Sequence, residues 1–376
     1  MNSGCPLTDG PAATYAARLL SRLVTVLTRA RAAVERRLLV TTLGLPEKIQ
    51  RRLAGSPIVL DGQQLATDTQ LLLRLKKVAR IPPAETLPLE DARAATRHEA
   101  AIAAGDQPIG SVRDLTAAGL PARLYVPSTS SESSSESDPL LVFFHGGGFY
   151  VGDLDTHDGP CRVLAEQAGV RVLAIDYRLA PEHRFPDAHD DAEAAYHWAC
   201  DHARELGADP ARIGVGGDSA GGNLAAATAI HAARTGLPCV FQLLVYPAVD
   251  SARDEDPDNR SLRLFEEGFY LSKAYMDRAN EAYVPAETDL RDPRLSPAYA
   301  DLPDGLAPTY LCTAGFDPLR DEGEHYARLL EKAGVPVTMR RFEGAIHGFF
   351  NVTGAGRSAP AAIAEVVAAL RAGLRG

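Results

Sequence analysis

Short, continuous apolar runs recur through the later part of this chain, and between them lie segments whose apolar residues follow a helical period. Leu140–Phe144, Val170–Ile175, Arg212–Gly216, Val240–Val245, Thr309–Thr313 and Val335–Phe342 read as strands. Helices are predicted over Cys161–Ala168, Asp187–Leu206 and about 220–234, 318–333 and 358–374. Strands without alternating polar residues are covered on both faces. The pattern therefore predicts an α/β fold with a mostly parallel central sheet flanked by helices. Upstream, Ser111–Thr116 and Arg123–Val126 read as paired strands joined through Gly119 and Pro121. Residues 251–285 interrupt the alternation. They are first charged, then aromatic (Phe265, Phe269, Tyr270, Tyr275), and read as an insertion over the sheet's edge.

The N-terminal part has a different pattern. Residues 15–45 predict a long helix with Arg18, Arg22, Arg29 and Arg36 on one side. Leu20, Leu23, Leu27, Ala30, Val34 and Leu38 fall on the other, and Pro46 marks an end. One reading of this basic segment is attachment to an anionic membrane or lipid surface. The preferred reading is a helix packed over the site or against a second subunit, as in a homodimer. Residues 47–105 read as mostly helical, punctuated at Gly55-Ser56-Pro57, Asp61-Gly62 and Pro82-Pro83. The serine and acid tract Ser128–Asp138 is too polar to bury and predicts an exposed loop.

Composition narrows the function classes. A chain of 376 residues can bury a large core without metal or disulfide support. Its formal net charge of −10 argues against nucleic-acid binding. The cysteines at 5, 161, 200, 239 and 312 are odd in number and lack C-x-x-C spacing, which argues against a disulfide framework or a zinc site and suits a reducing compartment. The chain has no apolar run of about 18 residues, and Met1–Gly10 does not resemble a signal peptide, so the cytoplasm is the expected location.

The densest chemistry is Gly217-Asp218-Ser219-Ala220-Gly221, lying between a short β-type run and the alanine-rich segment from Asn223. It fits G-x-S-x-G, the sharp strand-to-helix turn that lifts a serine hydroxyl clear of a sheet. A serine hydroxyl needs a histidine base, itself oriented by a carboxylate, and in this context the acid and then the histidine follow the serine in the chain. Of the downstream histidines, His231 and His325 fall within helices, whereas His347 falls in a loop before the last helix. Asp317 and Asp250 both follow strands, and Asp317 is preferred for the acid. His145-Gly146-Gly147-Gly148 follows a strand and can turn main-chain N–H groups toward an oxyanion. The donors expected are Gly146 and Gly147, joined by Ala220, with His145 bracing the loop. No Lys-Ser/Thr follows the glycines as in a phosphate loop.

These residues resemble the hormone-sensitive lipase family of α/β-hydrolase esterases, bacterial type. The resemblance rests on five ordered blocks: His145–Phe149 continuing to Gly152, Asp176–Glu182, Gly217–Asn223, Asp317–Gly323 and His347–Phe349. It covers roughly residues 110–376 and implies an α/β-hydrolase fold with a helical cap built mainly from the N-terminal region. By the same resemblance Ser219 is the nucleophile, Asp317 the acid and His347 the base, with no metal or cofactor. The expected division is residues 1–110 as N-terminal helical region and cap, 111–376 as catalytic domain, and 251–285 as a second cap segment. The expected activity is hydrolysis of small-molecule esters with short- to medium-chain acyl groups. The alternatives are an amidase or deacetylase using the same three residues, and a non-catalytic ligand-binding protein on the same scaffold.

Overall fold

The computed structural model describes residues 31–130, 138–256 and 258–375. Residues 31–43 are helical (α1). After them come α2 (Glu47–Ala54), the small antiparallel pair β1 (Val59–Leu60) and β2 (Gln63–Gln64), α3 (Thr67–Val78) and α4 (Leu89–Ala103). The predicted strand pair is β3 (Ser111–Ala117) and β4 (Leu120–Val126), antiparallel through the turn at Ala118-Gly119. The alternating part is β5 (Asp138–Phe144), α5 (Asp158–Ala168), β6 (Arg171–Ile175), α6 (Asp187–Asp201), β7 (Ala208–Asp218), α7 (Ala220–Thr235) and β8 (Gln242–Val245). Then follow α8 (Arg260–Leu264), α9 (Lys273–Tyr283), β9 (Thr309–Phe316), α10 (Arg320–Lys332), β10 (Val337–Ile346) and α11 (Ser358–Arg375).

Eight strands form one sheet in the order β10-β9-β8-β7-β5-β6-β4-β3. From β10 to β6 every pairing is parallel, and β4 and β3 continue the edge antiparallel. Along β5, Leu140, Val142 and Phe144 enter the layer made with α6, α7 and α10, whereas Leu141 and Phe143 enter the layer made with α5 and α11. The period-2 pleat sends successive side chains to opposite faces, so an unbroken apolar run is what a sheet covered on both sides requires.

Several boundaries differ from the expectation, most of all between α6 and β7. The helix predicted to reach Leu206 ends at Asp201, and β7 begins at Ala208 rather than Arg212. Gly207, at φ +73, turns the chain there, and Ala208 pairs with Asp138 across the sheet. The 251–285 segment lies over the carboxyl ends of the strands, not over the sheet's edge. It leaves from β8, an interior strand flanked by β7 and β9, so a long connection from its end can only cross above the sheet.

Helices α1, α2 and α3 pack together through Leu39, Leu43, Ala54, Leu71 and Leu75, against Val352 and Ala355. The Arg93 side chain fastens α4 to the sheet unit: it donates to the carbonyls of Tyr150 and Ala180 and pairs with Glu182. Residues 15–30 of the predicted long helix and 131–137 of the serine tract lie outside the described residues. No helix among the described residues is long and apolar enough to cross a membrane.

Candidate active site

Ser219 sits between the end of β7 and the start of α7, with φ +56 and ψ −119. A non-glycine residue in that region is strained, and surrounding structure must enforce it. Here Ser219 N–H donates to the Val245 carbonyl of β8, and its own carbonyl accepts from Asn223 and Ala248. The flanking glycines allow the close approach: a Cβ at Gly217 would strike the Gly221 carbonyl, and one at Gly221 would strike the Phe144 carbonyl. The hydroxyl therefore stands at the N-terminus of a 16-residue helix, where partial positive charge favours an anion.

His347 follows β10 and Asp317 follows β9, each just beyond the carboxyl end of its strand. The His347 Nδ1–H donates to Asp317 Oδ2 at 2.7 Å, which leaves Nε2 to accept the Ser219 hydroxyl proton at 2.9 Å. Asp317 is fully buried, and its other oxygen accepts from Leu319 N–H at 2.9 Å. Thus Ser219, Asp317 and His347, expected to act together, lie in one hydrogen-bonded line. Asp250, the competing acid, is turned elsewhere and accepts from Ala252 N–H and the Tyr299 hydroxyl. His325 is exposed on α10 and His231 is paired toward Glu193, so neither reaches the serine.

The expected oxyanion donors need one correction. The Gly146 N–H donates to Asp218 Oδ1 at 2.9 Å and is occupied. No group among the described residues accepts from the N–H of Gly147, Gly148 or Ala220. Asp218 also accepts from the His157 ring at 3.1 Å and from the Tyr246 hydroxyl at 3.3 Å. Burial alone would raise its carboxyl pKa, but His157 and the Gly146 N–H hold it below the usual range. The x of G-x-S-x-G therefore braces the glycine loop. His145 also braces this loop, as expected: Nδ1–H donates to the Gly146 carbonyl at 2.8 Å and the ring stacks on Tyr177 at 4.3 Å. Burial pushes its pKa down to about 4, so it is neutral at pH 7.

Two cavities meet at Ser219. A cleft of about 480 Å³ is bounded below by Gly146–Gly148, Ser219 and His347. Above, it is bounded by Lys76 of α3, Glu99 of α4 and Glu267–Tyr275. Lys76 bridges the two covering segments, pairing with Glu99 at 2.8 Å and lying over the Tyr270 ring at 4.5 Å. On the other side of the serine is a cavity of only about 50 Å³, lined by Phe149, Ala248, Leu271, Met276, Ala279 and Leu295. Another open cleft, of about 520 Å³ around Arg123, Asp155 and Arg162, contains no nucleophile, and its charges are paired among themselves. Among the described residues no group of His, Cys, Asp and Glu could hold a metal ion.

Sequence reasoning missed Gly148, Asp218, His157 and Tyr270. The glycine run signalled an anion loop, but which N–H groups are free depends on a carboxylate 72 residues away. No local pattern marks Tyr270, whose neighbours Lys76 and Glu99 come from two other helices.

The α/β-hydrolase fold family matches residues 141–351. Among curated proteins, the carboxylic ester hydrolase LipN of Mycobacterium tuberculosis is 44% identical, covering 85% of this chain and 86% of its own length. The ethyl acetate hydrolase of Pseudomonas putida is 35% identical over 82% of this chain and 97% of its own. Among solved structures, the ester-hydrolase EH1AB1 from the metagenome of Lake Arreo superposes with a TM-score of 0.77 at 42% identity, covering 82% of this chain and 98% of its own. The esterase of the archaeon Pyrobaculum calidifontis gives 0.75 at 36% identity, covering 82% and 98%. With its sheet order, its serine turn and these relatives in agreement, the chain belongs to the α/β-hydrolase fold family.

Proposed function

We propose that this protein is a serine carboxylic ester hydrolase of the hormone-sensitive lipase type. Ser219 is its nucleophile, His347 its base and Asp317 the carboxylate that orients the base. The observation that carries this reading is the line Asp317–His347–Ser219, with distances of 2.7 and 2.9 Å beside unengaged main-chain N–H groups. Ser219 Oγ attacks the ester carbonyl carbon as its proton passes to His347 Nε2. Asp317 stabilises the resulting imidazolium. The carbonyl oxygen becomes an oxyanion held by the N–H groups of Gly147, Gly148 and Ala220, at the N-terminus of α7. His347 returns the proton to the leaving alcohol. It then takes one from water, which attacks the acyl carbon, and passes it to Ser219 Oγ as the Oγ–acyl bond breaks and the acid is freed. Every step is proton or acyl transfer by these side chains.

The two cavities divide the substrate between them. The 50 Å³ cavity takes the acyl chain and the 480 Å³ cleft takes the alcohol, which places the acyl preference at the short end of the expected range. The helices up to residue 110 and the 251–285 segment serve as the cap. The decisive experiment compares wild type with Ser219→Ala on p-nitrophenyl acetate and the matched anilide. Turnover of the ester should fall by about 10⁶-fold in the variant, with unchanged thermal stability. Retained ester turnover would overturn the assignment, and anilide turnover matching the ester would favour an amidase.

A further inference from the structure

The two N-terminal helices show apolar as well as basic side chains to solvent. On α1, Val34 and Leu38, one turn apart, are 60% and 63% exposed, and Arg36 donates to Asp106 at 2.6 Å. On α2, Ile49 and Leu53 are 42% and 44% exposed, whereas Gln50 is buried and donates to the carbonyls of Leu43 and Leu45. A helix buried over the site would not leave this outward apolar ridge. The helices are held from the other side, through Leu39, Leu43 and Ala54.

The charge around the ridge identifies what covers it. Exposed Arg37, Lys48 and Arg52 lie within a turn of the apolar residues and have no acceptor among the described residues. Residues 31–60 carry six Arg and Lys against two Asp and Glu, in a chain of net charge −10. A second copy would present the same basic face to itself, because a two-fold contact joins identical patches. Four exposed apolar side chains also fall short of the roughly 20–30 residues a side of a stable interface. An apolar ridge set among unpaired cations is instead the composition that lies in the headgroup layer of an anionic bilayer.

We infer that the outward face of α1 and α2 docks this hydrolase on an anionic lipid surface. Val34, Leu38, Ile49 and Leu53 enter the headgroup layer, and Arg37, Lys48 and Arg52 pair with its phosphates. The test is co-sedimentation of the full chain with phosphatidylcholine vesicles, with and without one-quarter phosphatidylglycerol. The chain should pellet with the anionic vesicles alone and release at about 0.5 M salt, where screening is within a few Å. Each basic side chain near such a surface contributes about a five-fold gain. Arg37→Glu/Arg52→Glu should therefore weaken binding by at least about 25-fold, and Val34→Asp/Leu38→Asp should weaken it comparably. Unchanged turnover of a soluble ester shows that each variant is folded, and Val34→Ser/Leu38→Ser replaces the aspartate pair if it is not. No binding by the wild type, or binding untouched by either pair, overturns the inference. So does a wild-type dimer that both pairs convert to monomer, since the ridge would then belong to a second copy.

Discussion

The region beneath Ser219 and the region above it are built by different means. Beneath, Ser219, Asp317, His347 and the glycine loop hang from the ends of β5, β7, β9 and β10, which are bonded into one sheet. Asp317, His347 and Asp218 there are held by buried hydrogen bonds. Above, 251–285 is anchored by Phe265 and Phe269 against Phe316 and by the buried Arg253–Glu322 pair, but the rim that closes the cleft is tied by half-exposed contacts, Lys76–Glu99 and Lys76 over Tyr270. Buried hydrogen-bonded networks hold a geometry tightly, whereas surface ion pairs contribute roughly 0–1 kcal/mol. The contrast teaches that the proposed chemistry draws on the sheet-borne part, and that the proposed substrate choice draws on the cover.

The contrast predicts unequal effects. The largest belongs to the lower region: Asp317→Asn should reduce kcat by about 10⁴-fold on p-nitrophenyl acetate, with the fold intact by circular dichroism. An effect below about 100-fold would mean that the carboxylate does not orient the base.

The next concerns acid stability, again of the buried framework. Burial pushes His145 and His189 down to about 4, and His189 is bonded on both ring nitrogens, to Tyr283 and Asn223. The unfolded chain protonates these groups below about pH 6.5, the folded chain only below about 4. Stability is therefore lost as pH falls from 6.5 to 4, by up to about 3 kcal/mol per histidine. Asp176, pushed up to about 6 by burial and by Asp153, has the opposite sign and offsets part of this. Urea midpoints at pH 7, 5.5 and 4.5 should decline in that order, and a flat series would refute the assignment of buried neutral imidazoles.

Smaller effects come from the cover. Met276→Ala should enlarge the small cavity and raise the hexanoate-to-acetate ratio of kcat/KM by about tenfold per methylene admitted. An unchanged ratio would place the acyl chain in the larger cleft instead. Smallest of all, Lys76→Met should alter kcat/KM by less than about threefold and stability by less than about 1 kcal/mol. A larger loss would show that the cover is coupled to the chemistry and would break the division.

Much of this was legible in the chain itself. Mostly apolar runs predicted a parallel sheet because a strand covered on both faces presents few polar side chains, and β5 and β9 are buried along nearly their whole length. The serine turn was legible because Gly217 and Gly221 occupy positions that a Cβ would block, a constraint expressed within five residues. His347 and Asp317 were legible from their places after β10 and β9, since strand ends on one side of a parallel sheet must converge.

What the tertiary structure alone decided involves groups far apart in sequence. Gly146, Gly147 and Gly148 look alike as letters, and only the Asp218 carboxylate, brought beside them by the pairing of β5 with β7, occupies one N–H and leaves the others free. The unequal cavities on the two sides of Ser219 likewise arise from long-range packing, the larger where 251–285 meets α3 and α4, the smaller where it meets the glycine loop and the start of α7. The helical period separated an apolar side of α1 from a polar one, but not which side would face out. Periodicity records which residues share a face. Which face is covered depends on what the rest of the chain places against it.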